Sequence, residues 1–246
     1  MPPVYTKNYP ILTAQTDAFQ RLKPSHILTF LQEAAGDHSK LLGTGREELS
    51  LRNLFWAVLR HRVQITRLPL AGESITVETW PMPTTRTAFP RSTVAYDAQG
   101  QEVFRAISLW VLMDKDQRSM VLPGKSGVTV EGLLRGSELA VPGGLAPRQL
   151  QHQFRRRVYF SDLDCNGHMN NCRYLDWAMD ALPAEFHETH PVREFSVRYQ
   201  SEAKENEDLS LTWELSEDGC LTLDSQRNAQ ENQEEPARVF SVQMQF

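Results

Sequence analysis

From Pro24 the string PSHILTFLQEAAGDHSKLL returns to an apolar residue every third or fourth position, which gathers Ile27, Phe30, Leu31, Ala34, Ala35, His38 and Leu42 on one face. That period predicts an amphipathic helix with Ser25 as its cap. The period then shortens to two. LFWAVLRHRVQIT, ESITVETW, AFPRSTVAYD and QEVFRAISLWVLMD are rich in β-branched and aromatic residues and predict four strands, with DAQG as a tight turn between the last two. Between residues 119 and 150 glycines and prolines recur without a sustained period, which predicts a linker holding a short helix.

Beyond the linker the order of elements repeats. A strand HQFRRRVYF and a polar stretch lead to a helix through NNCRYLDWAMDAL, and VREFSVRYQSEA, LSLTWELS, CLTLDSQRN and ARVFSVQMQF follow as strands. The clearest register aligns Val63 with Val197, Ile65 with Tyr199, Ile75 with Leu209 and Val77 with Leu211, so that Leu68 falls opposite Glu202. A helix with one apolar stripe is buried most simply in the concave side of a curved antiparallel sheet. The expected fold is therefore α+β, a tandem (double) hotdog, with an N-terminal hotdog over 1–118, a linker over 119–150 and a C-terminal hotdog over 151–246. Two such units in one chain are expected to pair as a pseudo-dimer.

Composition narrows the function classes. The 246 residues are 40% hydrophobic and 23% charged, and no apolar run approaches the roughly 20 residues of a membrane helix. The N-terminal residues lack the layout of a secretion signal, so the cytoplasm is the expected location. A formal charge of −5 argues against a general nucleic-acid binder. Local basic surface remains at arginines 155–157 and at Arg60, Arg62, Arg86 and Arg91. Three cysteines, an odd number, suit a reducing compartment better than a disulfide framework. His152, His187 and His190 lack ligand spacing with Cys or carboxylates, so no metal is expected.

The stretch SDLDCNGHMNNCRYLDW sets Asp164, Asn166 and His168 at every second position just before a helix. In an extended segment those three side chains share a face, while Leu163, Cys165 and Gly167 turn away. The unpaired N–H groups of the helix start would stabilise an oxyanion there, and Gly167 would let a carbonyl approach. A plainer reading competes, because Asp and Asn before a helix commonly cap it. The halves differ here. The matching stretch of the first, DAFQRLKPSHI, shows Leu22 and Pro24 and no such acid, amide and imidazole series; a cap needed by the architecture should recur in both.

SDLDCNGHMNNCRYLDW resembles the D-x-N-x-H-x-N-N-x-x-Y motif of acyl-acyl-carrier-protein thioesterases. LFWAVLRHRVQITRLPLAGESITVETW and SLWVLMD resemble that family's first half, and FSVRYQSEAKENEDLSL resembles its second-half strand carrying a Glu. The resemblance implies hydrolysis of the thioester between a fatty acyl chain and the phosphopantetheine arm of acyl carrier protein, with no metal or organic cofactor. It assigns catalysis to Asp164, Asn166, His168 and Glu202, and implies that Glu202 comes within hydrogen-bond reach of His168. Plant members carry a Cys directly after that Glu; this chain has Ala203.

A methyl side chain cannot attack a thioester, so an oxygen nucleophile is expected. Water activated by Glu202 or His168 and direct attack by Asp164 both remain open. Cys165 and Cys172 read as packing residues. Phe30, Leu31, Phe55, Trp56 and Val58 are candidates either for an acyl tunnel or for simple core. Acyl carrier protein is acidic, and arginines 155–157 are the expected docking surface. An acyl-coenzyme A thioesterase, a non-catalytic acyl-binding hotdog and a homodimer stay open as alternatives.

Overall fold

The computed structural model describes residues 3–141, 143, 150–227 and 237–246. The chain divides into two compact units, Met1–Pro142 and Gly143–Phe246. In the first, β1 (Tyr5–Pro10), α1 (Pro24–Leu41), α2 (Arg46–Ser50), β2 (Leu54–Ile65), β3 (Ser74–Pro81), β4 (Phe89–Tyr96), β5 (Glu102–Asp114), β6 (Met120–Val121) and α3 (Pro123–Ser126) follow in order. Its sheet runs β1-β3-β4-β5-β2, antiparallel throughout, with β6 on β5. The second holds β7 (His152–Arg157), α4 (Arg173–Met179), α5 (Ala184–Thr189), β8 (Glu194–Tyr199), β9 (Asp208–Leu215), β10 (Cys220–Arg227) and β11 (Arg238–Gln245). Its order, β7-β9-β10-β11-β8, repeats that of the first.

The repeat extends to single residues. Val77 pairs with Ala95, and Leu211 with Ser225. The register then slips after Ala95 in β4 and after Ser225 in β10, so the same bulge recurs at the same place. The expected strands and the DAQG turn are present, the turn closing through the Gly100 N–H on the Asp97 carbonyl at 3.0 Å. The strand that the repeat calls for ahead of α1 has no residues assigned to it from the pattern. β1 is an edge strand with only Tyr9 buried, so half its signal is missing.

α1 buries Ile27, Leu28, Phe30, Leu31, Ala34 and Ala35 against the first sheet, with the Phe30 ring 4.8 Å from that of Tyr9 on β1. Truncating a fully buried leucine such as Leu28 to alanine should cost about 2–5 kcal/mol. Ser25 is not the cap. Lys23 holds the N-cap position without a side-chain bond, because Pro24 takes the first helical position and carries Ser25 into the buried first turn. In the second unit α4 buries Tyr174, Leu175, Trp177 and Ala178, and Tyr174 packs 4.5 Å from Phe240 of β11. The helix expected through Leu182 stops at Met179. Pro183 caps the separate helix α5.

The stretch read as a linker is structured at its start. Val128 is buried with Leu49, Leu54, Phe89 and Leu112, and Val121 and Val130 pack on them. The Leu133 N–H reaches the Pro81 carbonyl at 2.9 Å, and Arg135 pairs with Glu78. Residues 142 and 144–149 of that stretch lie outside the described residues.

Candidate active site

The polar motif folds as a tight turn, not as the extended segment that the spacing suggested. The Asp164 N–H bonds the His168 carbonyl at 2.8 Å, and the Gly167 N–H bonds the Asp164 carbonyl at 3.0 Å. Gly167 has φ 75°, a left-handed conformation in which a side chain is strained. Asp164 closes the turn from inside. Its Oδ1 accepts the N–H groups of Asn166 at 2.8 Å and His168 at 3.4 Å, and its Oδ2 accepts from Asn166 Nδ2 at 3.2 Å. Asn166 is therefore oriented by Asp164. The grouping that looked like strand alternation is the work of an Asx turn.

His168 points away from that carboxylate. Its backbone bridges Lys204, the Met169 N–H donates to the Ala203 carbonyl at 2.8 Å, and its Nε2 lies 3.3 Å from Glu202 Oε2. The structure thus brings His168 and Glu202 into contact across two loops distant in sequence. The side chains are 22% and 45% exposed, so water can reach the pair.

The helix start contributes less than expected. α4 begins at Arg173 and spans seven residues. The Cys172 N–H is taken by Asn170 Oδ1 at 2.9 Å and the Arg173 N–H by the Asn170 carbonyl at 2.9 Å. These donors are satisfied before any substrate arrives. Cys172 is buried, as a packing residue should be; Cys165 is exposed at the turn tip.

One sequence expectation is overturned by the first unit. Asp17 occupies the place of Asp164: its N–H bonds the Arg21 carbonyl at 2.8 Å, and the Gln20 N–H bonds the Asp17 carbonyl at 3.1 Å. Its Oδ1 accepts the N–H groups of Phe19 and Arg21, each at 2.9 Å. The Leu22 N–H then donates to the Pro69 carbonyl at 2.8 Å, as Met169 does to Ala203. Asn166 is matched by Phe19, His168 by Arg21 and Glu202 by Leu68. The acid recurs; the amide, the imidazole and the second carboxylate do not. The signal was available, since Asp17 precedes Pro24 by the same seven residues that separate Asp164 from Asn171.

The first unit also holds a pocket partly open to solvent, lined by Ala35, Leu42, Trp56, Phe89, Trp110 and Val130 among others. Of the five tunnel candidates only Trp56 is on its wall. Arg91 lines it too and is buried, so it is no surface patch. Its Nη1 donates to His38 Nδ1 at 3.1 Å and Thr79 Oγ1 at 3.3 Å, and burial holds its pKa down to about 10.

Two of the three arginines at 155–157 are ion-paired within the unit. Arg156 is paired with Asp180 and lies over the Trp177 ring, and Arg157 holds Asp208 through two bonds of 2.8 and 2.6 Å. Arg155 alone of the three has no ion pair among the described residues. There, no group of three or more His, Cys, Asp or Glu side chains is placed to hold a metal ion, and no helix is long and apolar enough to cross a membrane.

Two hotdog units in tandem, one of which carries a histidine–carboxylate pair beside an oriented amide, define the class as a double-hotdog protein with a polar site in its second unit. Residues 2–122 match the acyl-ACP thioesterase N-terminal domain, and residues 146–241 match the acyl-ACP thioesterase C-terminal domain. The chain belongs to the acyl-ACP thioesterase family. It is 27% identical to the chloroplastic palmitoyl-acyl carrier protein thioesterase of Gossypium hirsutum over 214 residues, covering 81% of this chain and 52% of that one. It is 29% identical to a chloroplastic dodecanoyl-[acyl-carrier-protein] hydrolase of Cinnamomum camphora over 202 residues, covering 72% and 50%. The chain thus spans about half the length of the curated relatives it matches. The fold is that of an acyl-ACP thioesterase from Bacteroides thetaiotaomicron, with a TM-score of 0.85 at 23% identity over 99% of this chain and 98% of that one. It is also that of the 12:0-ACP thioesterase of Umbellularia californica, with a TM-score of 0.81 at 21% identity over 100% and 97%.

Proposed function

We propose that this protein hydrolyses the thioester between a fatty acyl chain and acyl carrier protein, releasing free fatty acid and the carrier's thiol, and so ends chain growth. The observation that carries the reading is the 3.3 Å contact of His168 with Glu202 in a family member. The names of the relatives supply the substrate class. Water held by the pair attacks the carbonyl carbon while Glu202 accepts its proton. Asn166, oriented by Asp164, stabilises the oxyanion. The tetrahedral intermediate collapses with cleavage of the C–S bond, and the proton taken up by Glu202 passes through His168 to the departing sulfur, which restores both groups.

Asp164 is assigned to the turn and not to attack, because Asp17 performs the same service in a unit without the other three groups. The apolar cavity of the first unit is where that unit has room for an aliphatic chain. Of the basic triplet, Arg155 is left to meet the acidic carrier, so docking should rely on few charges and respond weakly to salt. The cysteine thiols suit a reducing compartment, the cytoplasm.

The test measures thiol release from acyl carrier protein and coenzyme A thioesters of equal chain length, across several lengths. Faster turnover of the carrier-bound series supports the proposal. Preference for coenzyme A would reassign the substrate, and tight binding without thiol release would make the protein an acyl binder.

A further inference from the structure

In both units the loop that follows the strand after the helices, β2 in the first and β8 in the second, is stapled by a guanidinium to a glutamate, but the cation comes from different places. In the first unit Arg67, one residue before Leu68, binds Glu73 through contacts of 3.1 and 2.7 Å and Asp97 at 2.9 Å. The internal repeat sets Ser201 at the place of Arg67, Glu207 at that of Glu73 and Arg227 at that of Asp97. The second unit has thus moved its cation from the loop to the end of β10. From there Arg227 Nε donates to Glu207 Oε2 at 2.9 Å, Nη1 donates to Ser201 Oγ at 2.8 Å, and Nη2 donates to the carbonyl of Glu202.

We propose that Arg227 is a positioning residue for thioester hydrolysis, fixing the backbone of Glu202 so that its carboxylate stays against His168. The inference rests on the function proposed above. Glu202 sits in the loop after β8 with its side chain 45% exposed, so the direction of its carboxylate depends on how its backbone is held. Its neighbour Ala203 is tied to the histidine turn by the Met169 N–H at 2.8 Å. Arg227 supplies the second anchor, on the other side of the same residue. A staple needed only for stability could have stayed as it is in the first unit, where Arg67 spends its guanidinium on two carboxylates. The ion pair with Glu207 is partly exposed, at 26% and 29%, so removing it should leave the fold intact.

Two variants separate positioning from stability. Arg227→Gln should lower kcat on an acyl-carrier-protein thioester roughly 10- to 100-fold with KM little changed, since displacing a reacting group by about 1 Å has that scale of effect. The double variant Ser201→Arg with Arg227→Asp rebuilds the first unit's staple; it should recover the melting temperature but not kcat. Recovery of both, or a wild-type kcat in Arg227→Gln, overturns the proposal. A crystal structure of Arg227→Gln gives a readout independent of turnover: the His168–Glu202 separation should lengthen, and an unchanged contact overturns the inference. Should the wild type release no thiol, the thioesterase reading fails, and that separation still decides the role of Arg227.

Discussion

The turns at Asp17 and Asp164 share a backbone and differ in what they carry. Each begins on a carboxylate that accepts N–H groups two and four residues on, and each hands the chain to a loop carbonyl before its helix. In the first unit the remaining positions hold Phe19, Arg21 and Leu68; in the second they hold Asn166, His168 and Glu202. A duplicated unit offers an internal control that a single hotdog lacks. What both copies retain belongs to architecture, and what one copy alone holds is the candidate for chemistry. Arg21 shows the contrast most directly, because its guanidinium turns back onto Asp17 at 3.0 Å while His168 reaches outward to Glu202.

Removing the groups that only the second turn has should produce the largest effects. His168→Ala and Glu202→Gln should each reduce kcat roughly 10²–10⁴-fold, and Asn166→Ala about 10²–10³-fold, with the melting temperature near that of the wild type. Wild-type turnover in any of them would remove that residue from the mechanism. Asp164→Asn sharpens the comparison. An amide oxygen still accepts the Asn166 N–H and cannot form an anhydride, while the new NH2 faces the Asn166 amide and loosens its orientation, so activity should fall only about tenfold. Asp164→Ala and Asp17→Ala should each cost about 1 kcal/mol in urea unfolding. An Asp164→Asn protein as inactive as Glu202→Gln would return nucleophilic attack to Asp164.

Much of this architecture was legible from periodicity because both sheets have one buried face. Ile75, Val77, Leu209 and Leu211 are all fully buried, and their alternation set the register of the repeat. β1 escaped notice because an edge strand with Tyr9 as its one buried residue carries too little pattern. The turn escaped for a different reason. Alternating polar residues look alike whether the backbone is extended or reversed, and only the pairing of Asp164 with the N–H groups of Asn166 and His168 distinguishes them. Glu202 could be aligned from the repeat and the family likeness, whereas Arg227 could not: nothing in DSQRN announces that its guanidinium returns to a carbonyl 25 residues earlier.

The turns also differ at the residue that needs a positive φ. Gly167 sits at 75° and its counterpart Gln20 at 63°. No atom lies within 4 Å of where a Gly167 side chain would begin, so Gly167→Ala should cost about 1 kcal/mol from backbone conformation alone. Gln20→Gly should be neutral or stabilise by a few tenths of a kcal/mol, as relief of strain competes with added chain entropy. A clear drop in the urea midpoint for Gly167→Ala, with Gln20→Gly unchanged or slightly raised, would fit a common turn geometry. Loss of stability in Gln20→Gly would mean that its side chain contributes more than its backbone costs.

A modest, pH-dependent effect belongs to the first unit's staple. The Arg67 guanidinium holds the carboxyls of Glu73 and Asp97 below their ordinary values of 4.5 and 3.8. A carboxyl whose folded pKa is depressed takes up protons more readily when unfolded, so its contribution is complete above those ordinary values and is lost as pH falls through the folded ones. Arg67→Gln should therefore lower the melting temperature by about 1–3 °C above roughly pH 5, a modest figure because the pairs are partly solvated. The gap between variant and wild type should shrink as pH falls below those ordinary values and close once it has passed the folded ones, where both carboxyls are neutral in either protein. A gap that persists at the acid end would show that Arg67 stabilises the loop through packing of its stem and not through charge, and the charge-relocation argument for Arg227 would then have to rest on the Glu202 carbonyl alone.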